Sequence, residues 1–297
     1  MTNNSYFKIE EVAKGIYATL AVDMEHALGN AAIVDLGNET LVFDTFASPQ
    51  AGAVLKQVAT ELTGKIPRWV VNSHHHGDHV LGNQCFADEA TFIATDQTRQ
   101  DIIALDERVP SIRQRTVEAL EALRSNEEDD VEDRAEQIAK LEERLEFLDT
   151  LHIIVPTILF ENKLALQGAQ QSVHILNFGG GHTASDSFIH LPDTGVVLLA
   201  DLLFQGEAHP WIGDGDPVEW VRILEQVLQI PADIFVPGHG NIADRKDVER
   251  QFKYMQDFTA LIEQKRRDPD FEVRIPDPYR SWEGEEWFEQ SVTALTT

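Results

Sequence analysis

In the segment Ser73-His74-His75-His76-Gly77-Asp78-His79, the pattern His-x-His-x-Asp-His sets four ligand-type side chains within six positions. It follows the apolar run Arg68 to Asn72 (RWVVN), which reads as a strand, and α/β proteins place their ligands beyond strand ends. In extended chain, residues two apart project to the same side, so His74 and His76 can reach one ion together. Gly77 has no Cβ and lets the chain turn, which lets Asp78 and His79 point at a neighbouring second ion. Neutral imidazole and carboxylate are the usual ligands of zinc in a water-activating centre. His75 lies between two ligands and should face the other way. The alternative is a polar surface loop with a chance run of histidines, and four ligand types directly after an apolar strand weigh against it.

Three later positions extend the constellation. His182 sits in the glycine-rich Phe178-Gly179-Gly180-Gly181-His182-Thr183, Asp201 follows the apolar run Val196 to Ala200, and His239 sits in Pro237-Gly238-His239-Gly240. Taken singly, each histidine reads as structural and the aspartate as a helix cap; placed together at strand ends beside glycines, they read as ligands. Asp44, in Val42-Phe43-Asp44-Thr45, is either a partner that orients a ligand imidazole or a turn-capping carboxylate. His26, His209 and Trp211 are candidates for the substrate-lining wall. Cys85 reads as a packing residue.

The elements that must position these residues follow from hydrophobic period and turn chemistry. Ile16 to Ala21, Ala31 to Leu36 and Thr40 to Phe46 are β-rich runs. Ser48 and Pro49 open a helix that should end at Gly64. Phe92 to Thr95 is a short strand. Residues 96–151 are rich in Glu, Arg, Leu and Ala. Ile112, Thr116, Ala119 and Leu123, then Val131, Ala135, Ile138, Leu141, Leu145 and Leu148, recur at steps of three and four. They predict a helical insertion with Asn126 to Asp130 as its turn, read as a solvated hairpin, a lid, or a homodimer contact. Strands resume at Thr157 to Phe160, Lys163 to Leu166, Ser172 to Asn177, Ser187 to Leu191 and Val196 to Ala200. A helix over Pro217 to Leu228, a strand over Ile234 to Val236 and a helix over Arg245 to Arg266 complete a strand-and-helix order that predicts an α/β fold.

The 297 residues suffice for a large core in one domain spanning 1–297, with 96–151 inserted in it. Asp and Glu number 51 against 24 Lys and Arg, a net charge of −27. Such a surface repels nucleic-acid phosphates and anionic membranes; it does not by itself identify the substrate, which is expected to be a small molecule. One cysteine excludes an intrachain disulfide. With a start that lacks signal-peptide character and no bilayer-length apolar run, it points to a cytoplasmic location.

The order His-x-His-x-Asp-His, Gly-His, Asp, Pro-Gly-His-Gly resembles the metallo-β-lactamase superfamily over about His74 to His239. The resemblance implies a four-layer αβ/βα sandwich with the centre at one edge. It implies two metal ions, zinc above all with iron or manganese as alternatives. His74, His76 and His182 would hold the first, Asp78, His79 and His239 the second, and Asp201 would bridge both. It also implies a metal-bound hydroxide that attacks an acyl bond, oriented by Asp78 as the catalytic carboxylate.

Within that superfamily, Asp201 stands where one subclass of zinc β-lactamases has a cysteine, and no Lys or Arg occurs between Asp201 and Val221 to hold a substrate carboxylate. The chain is therefore read as a dinuclear zinc hydrolase of an uncharged or weakly charged ester, thioester, lactone or amide. β-Lactam hydrolysis, as main or side activity, and a mononuclear iron persulfide dioxygenase are the alternatives.

Overall fold

The computed structural model describes residues 4–125 and 131–296. An antiparallel meander, β1 (Phe7–Ala13), β2 (Ile16–Ala21), β3 (Ala31–Asp35) and β4 (Thr40–Phe43), opens the chain. Helix α1 (Pro49–Thr63) crosses to β5 (Trp69–Val71), and the single turn α2 (Gly77–Val80) leads to β6 (Thr91–Thr95). The helices α3 (Asp96–Ser125) and α4 (Val131–Thr150) pack on each other before β7 (Ile158–Phe160). Strands β4 to β7 pair in parallel, completing a seven-stranded sheet.

The second sheet is built from β8 (Lys163–Gln167), β9 (Ser172–Asn177), β10 (Ser187–Leu191), β11 (Val196–Phe204) and, after α5 (Pro217–Val227), β12 (Ile234–His239). Its order is β12-β11-β10-β9-β8, antiparallel except for the β11–β12 pair. Helices α6 (Arg245–Arg267) and α7 (Glu285–Thr296) follow.

Alternation along the strands explains the layers. Ile189 and Leu191 face the space between the sheets with Val173, Ile175, Leu198 and, from the first sheet, Leu41 and Phe43. Phe188, Val197 and Leu199 turn to the other side, where Trp220 and Leu224 of α5 and Phe258 of α6 cover them. On the far face of the first sheet, Leu55 and Val58 of α1 cover Val42 and Val70. The result is the four-layer αβ/βα sandwich. α1 forms as its caps predict: Ser48 Oγ accepts the Ala51 N–H at 3.2 Å, and Gly64 ends the helix at φ 71°.

Three departures from the sequence reading matter for the centre. The run Thr40 to Phe46 leaves the sheet after Phe43, because Asp44 and Phe46 take φ of 60° and 73°. β11 continues past Ala200 to Phe204 through a register shift where Ala200 has φ 46°. β12 runs on to His239 itself. In the helical pair, Ala119 is exposed while Thr116 and Leu120 are buried, so the buried stripe of α3 lies partly off the predicted one. The predicted turn Asn126 to Asp130 lies outside the described residues. β1 and α7 carry little sequence signal: four of the seven residues of β1 are exposed along an outer strand, and α7 is short and acidic at its start. Among the described residues, no helix is long and apolar enough to cross a membrane.

Candidate metal centre

The seven predicted ligands converge. His74 and His76 follow β5, Asp78 and His79 lie in α2, His182 lies in the turn between β9 and β10, and Asp201 and His239 lie in β11 and β12. They form two groups, His74, His76, His182 and Asp201, and Asp78, His79 and His239, each offering ligand atoms within 4.8 Å of one another. Asp201 joins them: Oδ2 is 3.2 Å from His182 Nε2 and 3.3 Å from His239 Nε2, and Oδ1 is 3.1 Å from His79 Nε2. Asp78 Oδ2 lies 3.4 Å from His79 Nε2 and 3.3 Å from His239 Nε2.

These residues fit a pair of cations. His74 Nε2, His79 Nε2 and Asp201 Oδ1 are buried and make no hydrogen bond among the described residues. Each such atom costs about 1–3 kcal/mol if left unpaired. Three of them aimed at one place, within an imidazole and carboxylate set, is the signature of a centre built for metal.

The surrounding hydrogen bonds decide which nitrogen of each imidazole is free. Asp44 Oδ1 accepts the Ser73 backbone N–H at 2.8 Å; Oδ2 accepts the Ser73 hydroxyl at 2.7 Å and His79 Nδ1–H at 2.9 Å. Ser73 Oγ in turn lies 2.8 Å from His74 Nδ1. One buried carboxylate thus presents Nε2 of both His74 and His79 to the centre, and Asp44 is the orienting partner rather than a turn cap. Asp186 accepts the N–H groups of Gly181, His182 and Thr183 and the Thr183 hydroxyl, which shapes the turn that carries His182. Asn30 donates to the carbonyls of Pro237 and Gly240, pinning the loop of His239. In that loop a Cβ on Gly238 would fall 1.8 Å from Asp201 Oδ1, so only glycine fits.

The first group is also held from the loop after β11. His76 points Nδ1 at His182 Nε2, 3.0 Å away, while its Nε2 donates to Asp214 Oδ2 at 3.1 Å. The same Asp214 oxygen accepts the Trp211 indole N–H at 2.8 Å, and the Trp211 carbonyl lies 3.0 Å from His182 Nδ1. Asp214→Ala is expected to weaken first-site metal binding about 10- to 100-fold while leaving the second site close to wild type. Metal titration against a chromophoric chelator checks this, and equal loss at both sites contradicts it.

The charge balance depends on these contacts. Burial pushes the Asp201 carboxyl up, but His79, His239 and His182 outweigh it and hold the group well below the usual carboxylate range. Burial, with the nearby charge of His79, keeps His74 well below its ordinary value and neutral. For His239, burial pulls the imidazole down, yet Asp201 and Asp78 lift it to about 9. An imidazole raised in the folded state adds stability that is complete below its unfolded value of about 6.5 and disappears as pH rises through the folded value. The metal-free protein is therefore expected to lose thermal stability between pH 6.5 and pH 9, and the metal-loaded protein, whose imidazoles are already deprotonated, is not. Melting curves of chelator-treated and loaded protein at both pH values test this; a flat metal-free profile contradicts it.

A cavity of about 690 Å³ opens onto His76, Asp78, His182, Asp201 and His239. Trp211 lines it as expected. His209 borders it from a buried position, with Nδ1 2.9 Å from the Tyr254 hydroxyl. His26 does not line it. Asp23 Oδ1 accepts the backbone N–H groups of Glu25 and His26, which turns the His26 ring onto Tyr6 and toward Glu143 of α4, into a separate cavity. Met24 and Leu28 of that loop face the centre instead. His75 turns away as expected, toward Asp101 of α3 at 3.9 Å. Half-buried Cys85 donates its thiol to the Pro49 carbonyl at 3.1 Å. Asp186, Asn30 and Asp214 were missed as partners, and only the short spacing of Asp186 from His182 could have suggested one.

Comparison with known proteins places the fold and the family. The fold matches a metallo-beta-lactamase from Pontibacter korlensis (TM-score 0.63, 15% identity, 84% of this chain and 99% of that one). It also matches the metallo-beta-lactamase FIM-1 from Pseudomonas aeruginosa, solved in a mono-zinc form (TM-score 0.62, 15% identity, 87% and 98%). In sequence the chain is 20% identical over 260 residues to the 2,4-dinitroanisole O-demethylase subunit alpha of a Nocardioides species, covering 85% of this chain. It is 24% identical over 237 residues to the linear primary-alkylsulfatase of a Pseudomonas species, covering 75% of this chain. The chain spans 61% and 43% of the lengths of those two relatives. The family profile described as the metallo-beta-lactamase superfamily matches residues 26–239, most of the chain and every ligand position, and the chain belongs to that superfamily.

Proposed function

We propose that the chain is a dinuclear zinc hydrolase that cleaves an acyl bond (ester, thioester, lactone or amide) of a small molecule with no net negative charge. The observation that carries the reading is the convergence of seven ligand-type side chains on one point, with buried, unpaired nitrogen and oxygen atoms at its centre. Bound there, two zinc ions would supply a hydroxide near neutral pH and polarise the substrate oxygen.

The chain's own residues set the rest. His74, His76 and His182 hold one position and Asp78, His79 and His239 the other, with Asp201 between them. Asp44, Asp214 and the Trp211 carbonyl fix the imidazole tautomers so that the lone pairs face inward. Asp78 lines the cavity, and its side chain keeps 14% of its surface open, so it is placed to orient the attacking water and accept its proton. Among the described residues lining the cavity there is no Lys or Arg, which supports an uncharged substrate.

A second reading, scission of an aryl ether or an alkyl sulfate, draws support from the names of the two curated relatives. Zinc-loaded protein of measured metal content should be assayed on a panel of esters, thioesters, lactones, amides, β-lactams, aryl ethers and alkyl sulfates. Acyl cleavage that disappears in His76→Ala supports the proposal. Turnover confined to ethers or sulfates favours the second reading. Inactivity of the two-zinc protein, or oxygen consumption by a one-iron form, defeats it.

A further inference from the structure

One wall of the cavity comes from residues beyond 239, where the family match ends: Glu283, Gly284, Glu286 and Trp287. This segment is fastened to the loop after β11. The Glu283 N–H donates to the Glu207 carbonyl at 2.8 Å, the His209 N–H to the Glu283 carbonyl at 2.9 Å, and the Ile212 N–H to Ser291 Oγ at 3.0 Å. Trp282 and Phe288, on either side, are buried in the core, Trp282 stacked on Tyr254 and Phe288 edge-on to Phe258. Gly284 has φ 79°, and a Cβ there would meet Trp287 Cδ1 at 2.8 Å, so glycine lets the indole fold back. The Trp287 ring then meets Trp211 edge-on, with centroids 6.0 Å apart, although it remains 45% exposed.

A tryptophan that far from buried, held by a glycine turn at the mouth of a reaction centre, is an aromatic anchor without an intramolecular partner over much of its surface. The charge beside it has one sign: Glu283 and Glu286 line the wall, and no Lys or Arg does among the described residues. The net charge of −27 adds to that field. We infer that this wall is the specificity surface of the enzyme, and that it takes an apolar, non-anionic group of the substrate, aryl or branched alkyl, against Trp287 while the scissile bond lies at the metal centre. The inference rests on the metal-centre reading above and deepens it to a substrate class.

The test uses zinc-loaded, full-length protein and thiols that anchor on the metal: benzyl thiols with a para-acetamido, para-trimethylammonium or para-carboxylate group, and 2-mercaptoethanol as the short control. Affinities are read by calorimetry, without turnover. The acetamido and trimethylammonium compounds are expected to bind at least about tenfold tighter than the carboxylate. Trp287→Ala is expected to cost those two about tenfold and to leave 2-mercaptoethanol unchanged. Glu286→Lys, at an exposed position, should narrow the gap to the carboxylate. A carboxylate that binds as tightly as the acetamido compound, or benzyl thiols indifferent to Trp287→Ala, overturns the inference. If 2-mercaptoethanol itself fails to bind, the metal-centre reading falls and takes the inference with it. If the thiols bind in the expected order but no ester is cleaved, the hydrolase reading falls and the selectivity of the wall stands.

Discussion

Replacing Asp201 with alanine is expected to reduce bound zinc from two equivalents to one or fewer and to lower kcat/KM at least about a thousandfold, equivalent to about 4 kcal/mol of transition-state stabilisation. Among the described residues, Asp201 is the carboxylate that approaches imidazoles of both groups: His74, His182 and His239 lie near one of its oxygens and His79 near the other. Its loss also acts on the metal-free fold. Asp201 is the first attraction that lifts His79, His182 and His239 against burial, so alanine leaves buried imidazoles without their main counter-charge. Removing one partner of a buried charged group costs about 3–5 kcal/mol, so the metal-free melting temperature should fall together with metal content. Asp201→Asn, which keeps the shape but offers one neutral oxygen, should fall between wild type and alanine. Elemental analysis with a thermal melt reads both effects, and an alanine variant that retains two zinc ions and full turnover removes Asp201 from the bridging role.

How much of this centre could be read before the fold was known depended on how local the signal was. His74, His76, Asp78 and His79 sit within one turn of chain, and strand periodicity alone puts His74 and His76 on one side. His182, Asp201 and His239 lie far apart in sequence, but each follows an apolar run or a glycine that marks a strand's end. Asp44 was only half legible. Its identity was visible in an apolar run, yet its role depends on a left-handed backbone turn that carries it out of β4 and beneath Ser73 and His79. Asn30, Asp214 and Trp287 act through pairings across tens to hundreds of residues, which leave no periodic trace. His26 shows the reverse error. The loop was correctly placed near the cavity, but the Asp23 turn chooses which of its side chains faces in. The four layers entered as what the resemblance implies, and the structure accounts for them: strand residues Val196, Val197, Leu198 and Leu199 are apolar on both faces because the other sheet covers one and helices cover the second.

Asp44→Asn should expose how far the centre depends on a group that never touches the metal. Asparagine is among the few residues that accept a positive φ, so the backbone at φ 60° is expected to survive and the substitution isolates the hydrogen bonds. Asp44 faces three donors: the Ser73 N–H, the Ser73 hydroxyl and His79 Nδ1–H. An amide has one acceptor oxygen, and its NH2 group must oppose a donor in either orientation. Toward Ser73 the backbone N–H has no alternative, so the conflict falls on His79. That imidazole can relieve it by moving its proton to Nε2, the atom that lies 3.1 Å from Asp201 and should face the second ion. Second-site affinity is therefore expected to fall about 10- to 100-fold, with about 1–3 kcal/mol of lost stability from the buried mismatch. His74, whose Nδ1 answers to Ser73 Oγ rather than to Asp44 directly, should keep most of its affinity for the first ion. A stepwise metal titration separates the sites: selective loss of the second supports the tautomer argument, and wild-type affinity at both shows that Asp44 only holds the turn.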